Sequence, residues 1–245
     1  MAIKLLLLQI RENPQVRVEE HLSFAKHGKI NLDQIDIHNV FDRPDFSADI
    51  LEGYDGLFIG GASEASVLET ESYPFVNNII SLCRACIEKD IPVFASCFGF
   101  QAAILAFGGQ ITRDEIDFEM GTINIKLAES LEHDPLFSEY KDSFPAVSVH
   151  KESALELPAH CELLAYTDKC VHAFKYKDKP FWATQFHPEL DRKCLTARLN
   201  VYQKQYTESA HHFDEIIAGL QETPQSNQLV EKFITFLHSR TRVSA

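Results

Sequence analysis

Three side chains of this sequence have the types and spacing for nucleophilic chemistry. Cys97 stands in PVFASCFGFQ (residues 92–101), where a short apolar run passes into helix-forming residues. A strand-to-helix elbow strains its central residue and projects that side chain outward. Such a turn needs little bulk beside the nucleophile, and Ala95, Ser96 and Gly99 meet that need. The following helix directs its N-terminus at the sulfur, and its dipole favours the thiolate. A thiolate attacking an acyl carbon also needs a base and a carboxylate to orient it. The stretch QFHPE (185–189) offers both. His187 and Glu189 are two apart in what reads as an extended segment, which places them on one side of the chain. Pro188 favours that extension at His187. Amide hydrolysis further needs N–H donors for the developing oxyanion. The backbone around Gly60 and Gly61 and at Phe98 supplies the candidates.

Other chemistry-bearing residues read more plainly. Cys83-x-x-Cys86 lies inside PFVNNIISLCRACIEKD (74–90), an amphipathic helix pattern starting at Pro74. A zinc site needs a second ligand pair, and Cys161, Cys170 and His172 have no tight spacing for one. Helix packing is therefore the reading, and no metal is expected. Glu119 and the carboxylates from Asp114 to Asp117 read as a solvated turn rather than an acid pair. Phe98, Phe100, Phe107 and Trp182 read as core, because basic residues are not interleaved with them.

The elements that must position these groups alternate. IKLLLLQI (3–10) is a continuous apolar run, the pattern of a strand covered on both faces. A helical stretch around 18–27, strands near 35–40 and 53–61, a helix over 74–89, the strand IPVFA (91–95) and a helix over 99–107 follow, the last stopped by Gly108 and Gly109. This order predicts an α/β fold with an open, mostly parallel sheet and helices on both faces. The second half carries short strands, MGTINIKL, FPAVSVH, CELLAYT, CVHAFKY and FWATQF, the last two read as a small antiparallel hairpin region. Helical stretches over 193–220 and 228–239 flank the loop QETPQSNQ (221–228). One domain over 1–245 is expected, with 192–227 as an extra helical segment before the closing helix. Parallel sheets bind ligands at the carboxyl ends of their strands. That edge would carry GGASEAS (60–66), SCFGFQ (96–101) and QFHPEL (185–190).

FASCFGFQ followed by QFHPE resembles the triad-type class I glutamine amidotransferases, whose nucleophile motif is Gly-x-Cys-x-Gly-x-Gln, and most of all the amidotransferase domains of GMP synthases. GLFIGGASEAS is similar to the family's oxyanion strand with its glycine pair. AFGGQITRDEIDFEMG is similar to the segment after the nucleophile helix, ending at Glu119 and Gly121. SVHKESALELPAHCELLAYT is like the His-containing stretch before the last hairpin, and LVEKFITFL is like the closing helix. The resemblance implies a flavodoxin-like fold and a Cys97–His187–Glu189 triad. Cys97 would attack the γ-carboxamide carbon of glutamine, His187 would pass the proton to departing ammonia, and Glu189 would orient the imidazole. It also implies that Gly60, Gly61, Phe98, Gln101 and His150 face the substrate. No cofactor is implied. Three positions depart from the pattern. Ala95 replaces a glycine, Ala62 replaces a frequent proline, and Phe100 replaces histidine or methionine, which would make the pocket wall more apolar.

The chain of 245 residues is long enough to bury a sizeable core. Its net charge of −13 argues against nucleic acid and anionic membrane as partners. The N-terminal apolar run is too short for a span or a signal peptide, and a cytoplasmic location is expected. The sequence holds neither a Gly-x-x-x-x-Gly-Lys loop nor a Ser-Gly-Gly-x-Asp-Ser signature. The ammonia acceptor would therefore be a separate synthetase subunit, or absent. Two alternatives stand beside a glutaminase: a γ-glutamyl peptide or conjugate hydrolase using the same triad, and a non-catalytic regulatory module on this fold.

Overall fold

The computed structural model describes residues 3–116, 118–129, 131–202 and 210–243. Strand β1 (Leu5–Gln9) is buried throughout, as its uninterrupted apolar run dictates. Helix α1 (Pro14–Gly28) begins four residues ahead of the expected Val18. Asn13 sets that start, because its side chain accepts the N–H groups of Gln15 and Val16 while Pro14 occupies the first turn. There follow β2 (Ile35–Asn39), β3 (Gly56–Ile59), α2 (Phe75–Glu88), β4 (Val93–Ser96) and α3 (Phe98–Ala106). The second half contains β5 (Thr112–Arg113), β6 (Glu119–Leu127), β7 (Ser143–His150), β8 (Glu152–Ser153), β9 (Cys161–Tyr166), β10 (Val171–Tyr176) and β11 (Phe181–Thr184). Helices α4 (Arg192–Val201), α5 (Ala210–Gly219) and α6 (Pro224–Val243) complete the described chain. None of the described helices is long and apolar enough to cross a membrane.

Nine strands form one mixed sheet in the order β2-β1-β3-β4-β11-β10-β9-β6-β7, and β5 pairs with β8 in a small second sheet. The first five strands of that order are parallel. The hairpin of β10 and β11 joins them to an antiparallel half. The α/β class with a parallel sheet and an antiparallel region is thus the observed fold.

Alternation along β1 builds two cores. Leu6 and Leu8 join Ile59, Ala95, and Ile79 and Leu82 of α2 on one face. Leu5 and Leu7 join Phe58, Phe94, Trp182, Phe24 of α1 and Phe233 of α6 on the other. Cys83 and Cys86 are fully buried in the first core. Phe100 is buried there too, its ring 5.4 Å from that of Phe174.

The C-terminal region differs from expectation in two ways. The single stretch over 193–220 is two helices, α4 and α5, and residues 203–209 between them lie outside the described residues. The loop expected over 221–228 is shorter, because α6 begins at Pro224. Proline fits the first helical position, where its missing N–H would have no partner.

Candidate active site

β4 and β11 are parallel neighbours, with Ser96 beside Thr184 in register. The segments that leave their carboxyl ends therefore start side by side. One carries Cys97 and the other His187. The backbone N–H of Cys97 donates to the Thr184 carbonyl at 2.8 Å, which ties the elbow to β11. Cys97 has φ 51° and ψ −100°, directly before α3. A left-handed φ in a non-glycine residue stores strain, held here by the packing on either side. The elbow is possible only because α3 approaches β3 closely at Gly99. A Cβ there would lie 2.8 Å from the Ile59 carbonyl oxygen. The Gly99 N–H in turn donates to the Gly60 carbonyl at 3.3 Å, fixing the glycine pair to the start of α3.

His187 is buried and donates its backbone N–H to the Val147 carbonyl at 2.8 Å. Its Nδ1 lies 2.7 Å from Oε1 of Glu189, which has no exposed surface. The two groups meet through a turn, contrary to the extended segment expected from the sequence. The Leu190 N–H donates to the His187 carbonyl at 3.2 Å, bending the chain at Pro188 and Glu189. Burial disfavours the charged ring, but the Glu189 carboxylate and the Cys97 sulfur outweigh it and raise His187 to about 9. For Glu189 burial works upward, and the imidazole beside it prevails, lowering the carboxyl to about 2. Both shifts express one buried ion pair. The thiol of Cys97 is 3.8 Å from the Val149 carbonyl on β7.

Gly61 sits between these groups. A Cβ on Gly61 would stand 2.9 Å from His187 Cε1, 2.9 Å from Arg11 Nη2 and 3.4 Å from Cys97 Cβ. The glycine pair therefore brings backbone, not side chain, up to the sulfur, the placement an oxyanion donor needs. Phe98 and Gln101 line the cleft above Cys97, together with His150 at the end of β7. Gln101 Nε2 donates to the Glu152 carbonyl at 2.8 Å. The cleft holds about 280 Å³, small for a ligand cavity. Its walls are charged: Arg113 pairs with Glu152 at 2.6 Å and Glu69 at 3.0 Å, and Lys151 with Glu115 at 2.8 Å. Carboxylates and cations thus both face the space where an amino-acid backbone would lie.

Two expectations are corrected here. Phe100 is absent from the cleft wall, because it faces Phe174 in the core, so it does not make the pocket apolar. Glu119 is no solvated turn residue. It opens β6 in register with His150 and is buried, 3.2 Å from His150 Nε2 and 2.6 Å from His172 Nε2. The two imidazoles hold its carboxyl well below the usual range against the opposing effect of burial. Asp114 and Glu115 do lie in an exposed turn, and Asp117 is outside the described residues.

Sequence reasoning missed two supports. Arg11 and Glu20 form a fully buried pair at 2.9 Å beneath the glycine pair, and Arg11 Nη1 donates to Ser63 at 3.0 Å. The signal was available, since Arg11 follows β1 at its carboxyl end. Asn227 on α6 donates to the carbonyls of Pro188 and Leu190 at 2.8 and 2.7 Å, clamping the turn that carries Glu189. No local pattern around Asn227 announces this.

The family described as "Glutamine amidotransferase class-I" matches residues 22–199. The glutamine-hydrolysing GMP synthase subunit of Methanosphaera stadtmanae is 33% identical over 119 residues, 48% of this chain and 61% of that one. Its counterpart in Methanocaldococcus jannaschii is 37% identical over 116 residues, 45% of this chain and 60% of the relative. The matched region thus spans about three-fifths of the length of these relatives. Among solved structures, a glutamine amidotransferase from Thermotoga maritima superposes with a TM-score of 0.73 at 17% identity, covering 99% of both chains. A glutamine amidotransferase from Methylobacillus flagellatus gives 0.71 at 16% identity, over 97% of this chain and 94% of that one. At such identities these two likenesses establish the fold.

Proposed function

This chain belongs to the class I glutamine amidotransferases, and from that membership and the geometry around Cys97 we propose that it hydrolyses the γ-carboxamide of glutamine. The observation that carries the reading is Cys97 on a strained elbow beside the buried His187–Glu189 pair. The Cys97 thiolate attacks the carboxamide carbon, forming the C–S bond, and the oxygen gathers negative charge. Backbone N–H groups at Gly61 and Phe98 receive that charge. His187 gives its proton to the departing nitrogen, the C–N bond breaks, and ammonia leaves a glutamyl thioester. His187 then takes a proton from water, which attacks the thioester and releases glutamate and the thiol. Glu189 keeps the imidazole in the correct tautomer and supports its charged form. Gln101, His150 and the charged wall hold the amino-acid end of the substrate.

The 245 residues carry no nucleotide-binding signature, so the chemistry that accepts ammonia lies outside them. The archaeal relatives, named as one subunit of a GMP synthase, support a separate synthetase polypeptide as the partner. We read residues 1–245 as one domain in which α4 covers the site, since Leu195 and Leu199 pack beside Leu190 and Val147. The six free cysteines suit a reducing compartment such as the cytoplasm.

The test is release of ammonia and glutamate from glutamine by the purified chain, with and without a candidate synthetase, set against release from γ-glutamyl peptides. Turnover of glutamine that disappears in Cys97→Ala supports the reading. Turnover of γ-glutamyl peptides alone replaces the substrate, and glutamine turnover that survives Cys97→Ala overturns the nucleophile.

A further inference from the structure

Glu119, His150, Cys170 and His172 converge behind the cleft wall, and their donor atoms all lie within 4.8 Å of one another. All four residues are buried. They come from separate places in the sequence but from one end of the antiparallel half: Glu119 opens β6, His150 ends β7, and Cys170 and His172 flank the first residue of β10. Cys170 and His172 are two apart, the spacing that sends both side chains to one face of a strand. The sequence offers no conventional ligand spacing because the sheet register, pairing Glu119 with His150, is what gathers the set.

The separations carry the argument. Tetrahedral zinc, with Zn–N and Zn–O near 2.0–2.1 Å and Zn–S near 2.3 Å, sets nitrogen and oxygen donors about 3.3 Å apart and sulfur about 3.6 Å from them. Here His150 Nε2 is 3.2 Å from Glu119 Oε2, and Cys170 Sγ is 3.5 Å from that oxygen and 3.4 Å from His172 Nε2. Each lies within about 0.2 Å of the tetrahedral figure, the tolerance for a credible site. The remaining pair, Glu119 Oε2 and His172 Nε2, is a hydrogen bond at 2.6 Å and would open by about 0.7 Å around a metal. Hydrogen bonding alone leaves the set incompletely satisfied. His150 Nε2 is close to the carboxylate but not aligned as a hydrogen bond, and both ring nitrogens of His150 are buried without a hydrogen-bond partner.

We propose that Glu119, His150, Cys170 and His172 form a closed tetrahedral site for one zinc ion that ties the ends of β6, β7 and β10 together. One carboxylate and one thiolate balance the divalent charge, so the buried centre is neutral, which avoids the cost of an unpaired buried charge. A thiolate with two imidazoles selects zinc over magnesium and calcium. Four protein donors leave no open position, so the ion is structural. It fixes the end of β7, whose Val149 carbonyl contacts Cys97 Sγ and whose His150 lines the cleft.

Zinc titration of the chelator-stripped full chain, in competition with a chromophoric chelator, tests the proposal, with X-ray absorption at the zinc edge to count donors. The expected result is one zinc per chain with one sulfur and three nitrogen or oxygen neighbours. Binding should persist in Cys97→Ala, which excludes the catalytic thiol as the ligand. It should weaken more than about a hundredfold in Cys170→Ser and in His172→Ala, since even outer-shell changes cost 10–100-fold. Should those variants fail to fold, the wild-type donor count and the Cys97→Ala titration decide alone. Absence of stoichiometric zinc binding, loss of binding in Cys97→Ala, or a shell without sulfur overturns it.

Discussion

His187 Nδ1 lies 2.7 Å from Glu189 Oε1, although only Pro188 separates the two residues and the chain turns between them. A carboxylate so close in sequence can reach the ring because the turn folds it back, and Asn227 holds that turn through the Pro188 and Leu190 carbonyls. Glu189 then acts on catalysis only through His187. Loss of the imidazole removes base and acid together, each worth about 10²–10⁴-fold. Glu189→Gln should cost less than His187→Ala, and the double variant should be little slower than His187→Ala, because the residues act as a unit. Single-turnover kinetics on a chromogenic γ-glutamyl substrate measures this. Additive losses would show that another group holds the histidine.

Gly61 separates catalysis from stability in a second experiment. Gly61→Ala drives a methyl group against His187 Cε1 and Arg11 Nη2, both at 2.9 Å. Overpacking of this kind costs about 1–3 kcal/mol. Its effect should fall mainly on kcat, since the displaced atom is the catalytic ring. Gly99→Ala instead meets the Ile59 carbonyl at 2.8 Å, and because backbone cannot swing aside it should lower the melting temperature more. Paired thermal-melt and rate measurements distinguish the two, and a Gly61→Ala protein with unchanged kcat would contradict the placement of the glycine pair.

The His187–Glu189 pair also predicts a pH profile of stability. Glu189, lowered to about 2, stabilises the fold fully above its unfolded value near 4.5, and that contribution is lost as pH falls toward 2. His187, raised to about 9, stabilises fully below its unfolded value near 6.5, and its contribution is lost as pH rises toward 9. The pair therefore contributes most at about pH 4.5–6.5. Denaturant titrations of Cys97→Ala should show stability declining above about pH 6.5, without the complication of the thiol. Adding Glu189→Gln should flatten that decline. An equal slope in both proteins would mean that Glu189 does not hold the ring charged.

Much of this architecture is legible in the residues themselves, and the exceptions have physical causes. The apolar run through Leu5–Leu8 announces a strand buried on both faces, and the elbow before Gly99 and the pair His187 and Glu189 stand out by residue type. Helix starts are harder to read, because Asn13–Pro14 and Pro224 set them by capping and fixed φ rather than by apolar periodicity. Glu119 is opaque for another reason. Its neighbours Asp114 and Glu115 are exposed, and only pairing with His150, distant in sequence, buries it. Phe100 faces the core rather than the cleft because the helical turn, not its neighbour Gln101, decides its direction. Non-local register is what a single sequence hides.

The central claim is that Cys97 is the nucleophile, and selective labelling tests it most directly. Burial raises the other five thiols: Cys83 and Cys194 above their ordinary values, and Cys86, Cys161 and Cys170 to about 12. Cys97 alone stands at the head of α3, in the cleft and beside His187. An electrophilic glutamine analogue, followed by peptide mass mapping at sub-stoichiometric labelling, should modify Cys97 first, and excess glutamine should protect it. Modification of Cys161 or Cys194 ahead of Cys97, or labelling that glutamine does not slow, would contradict the account.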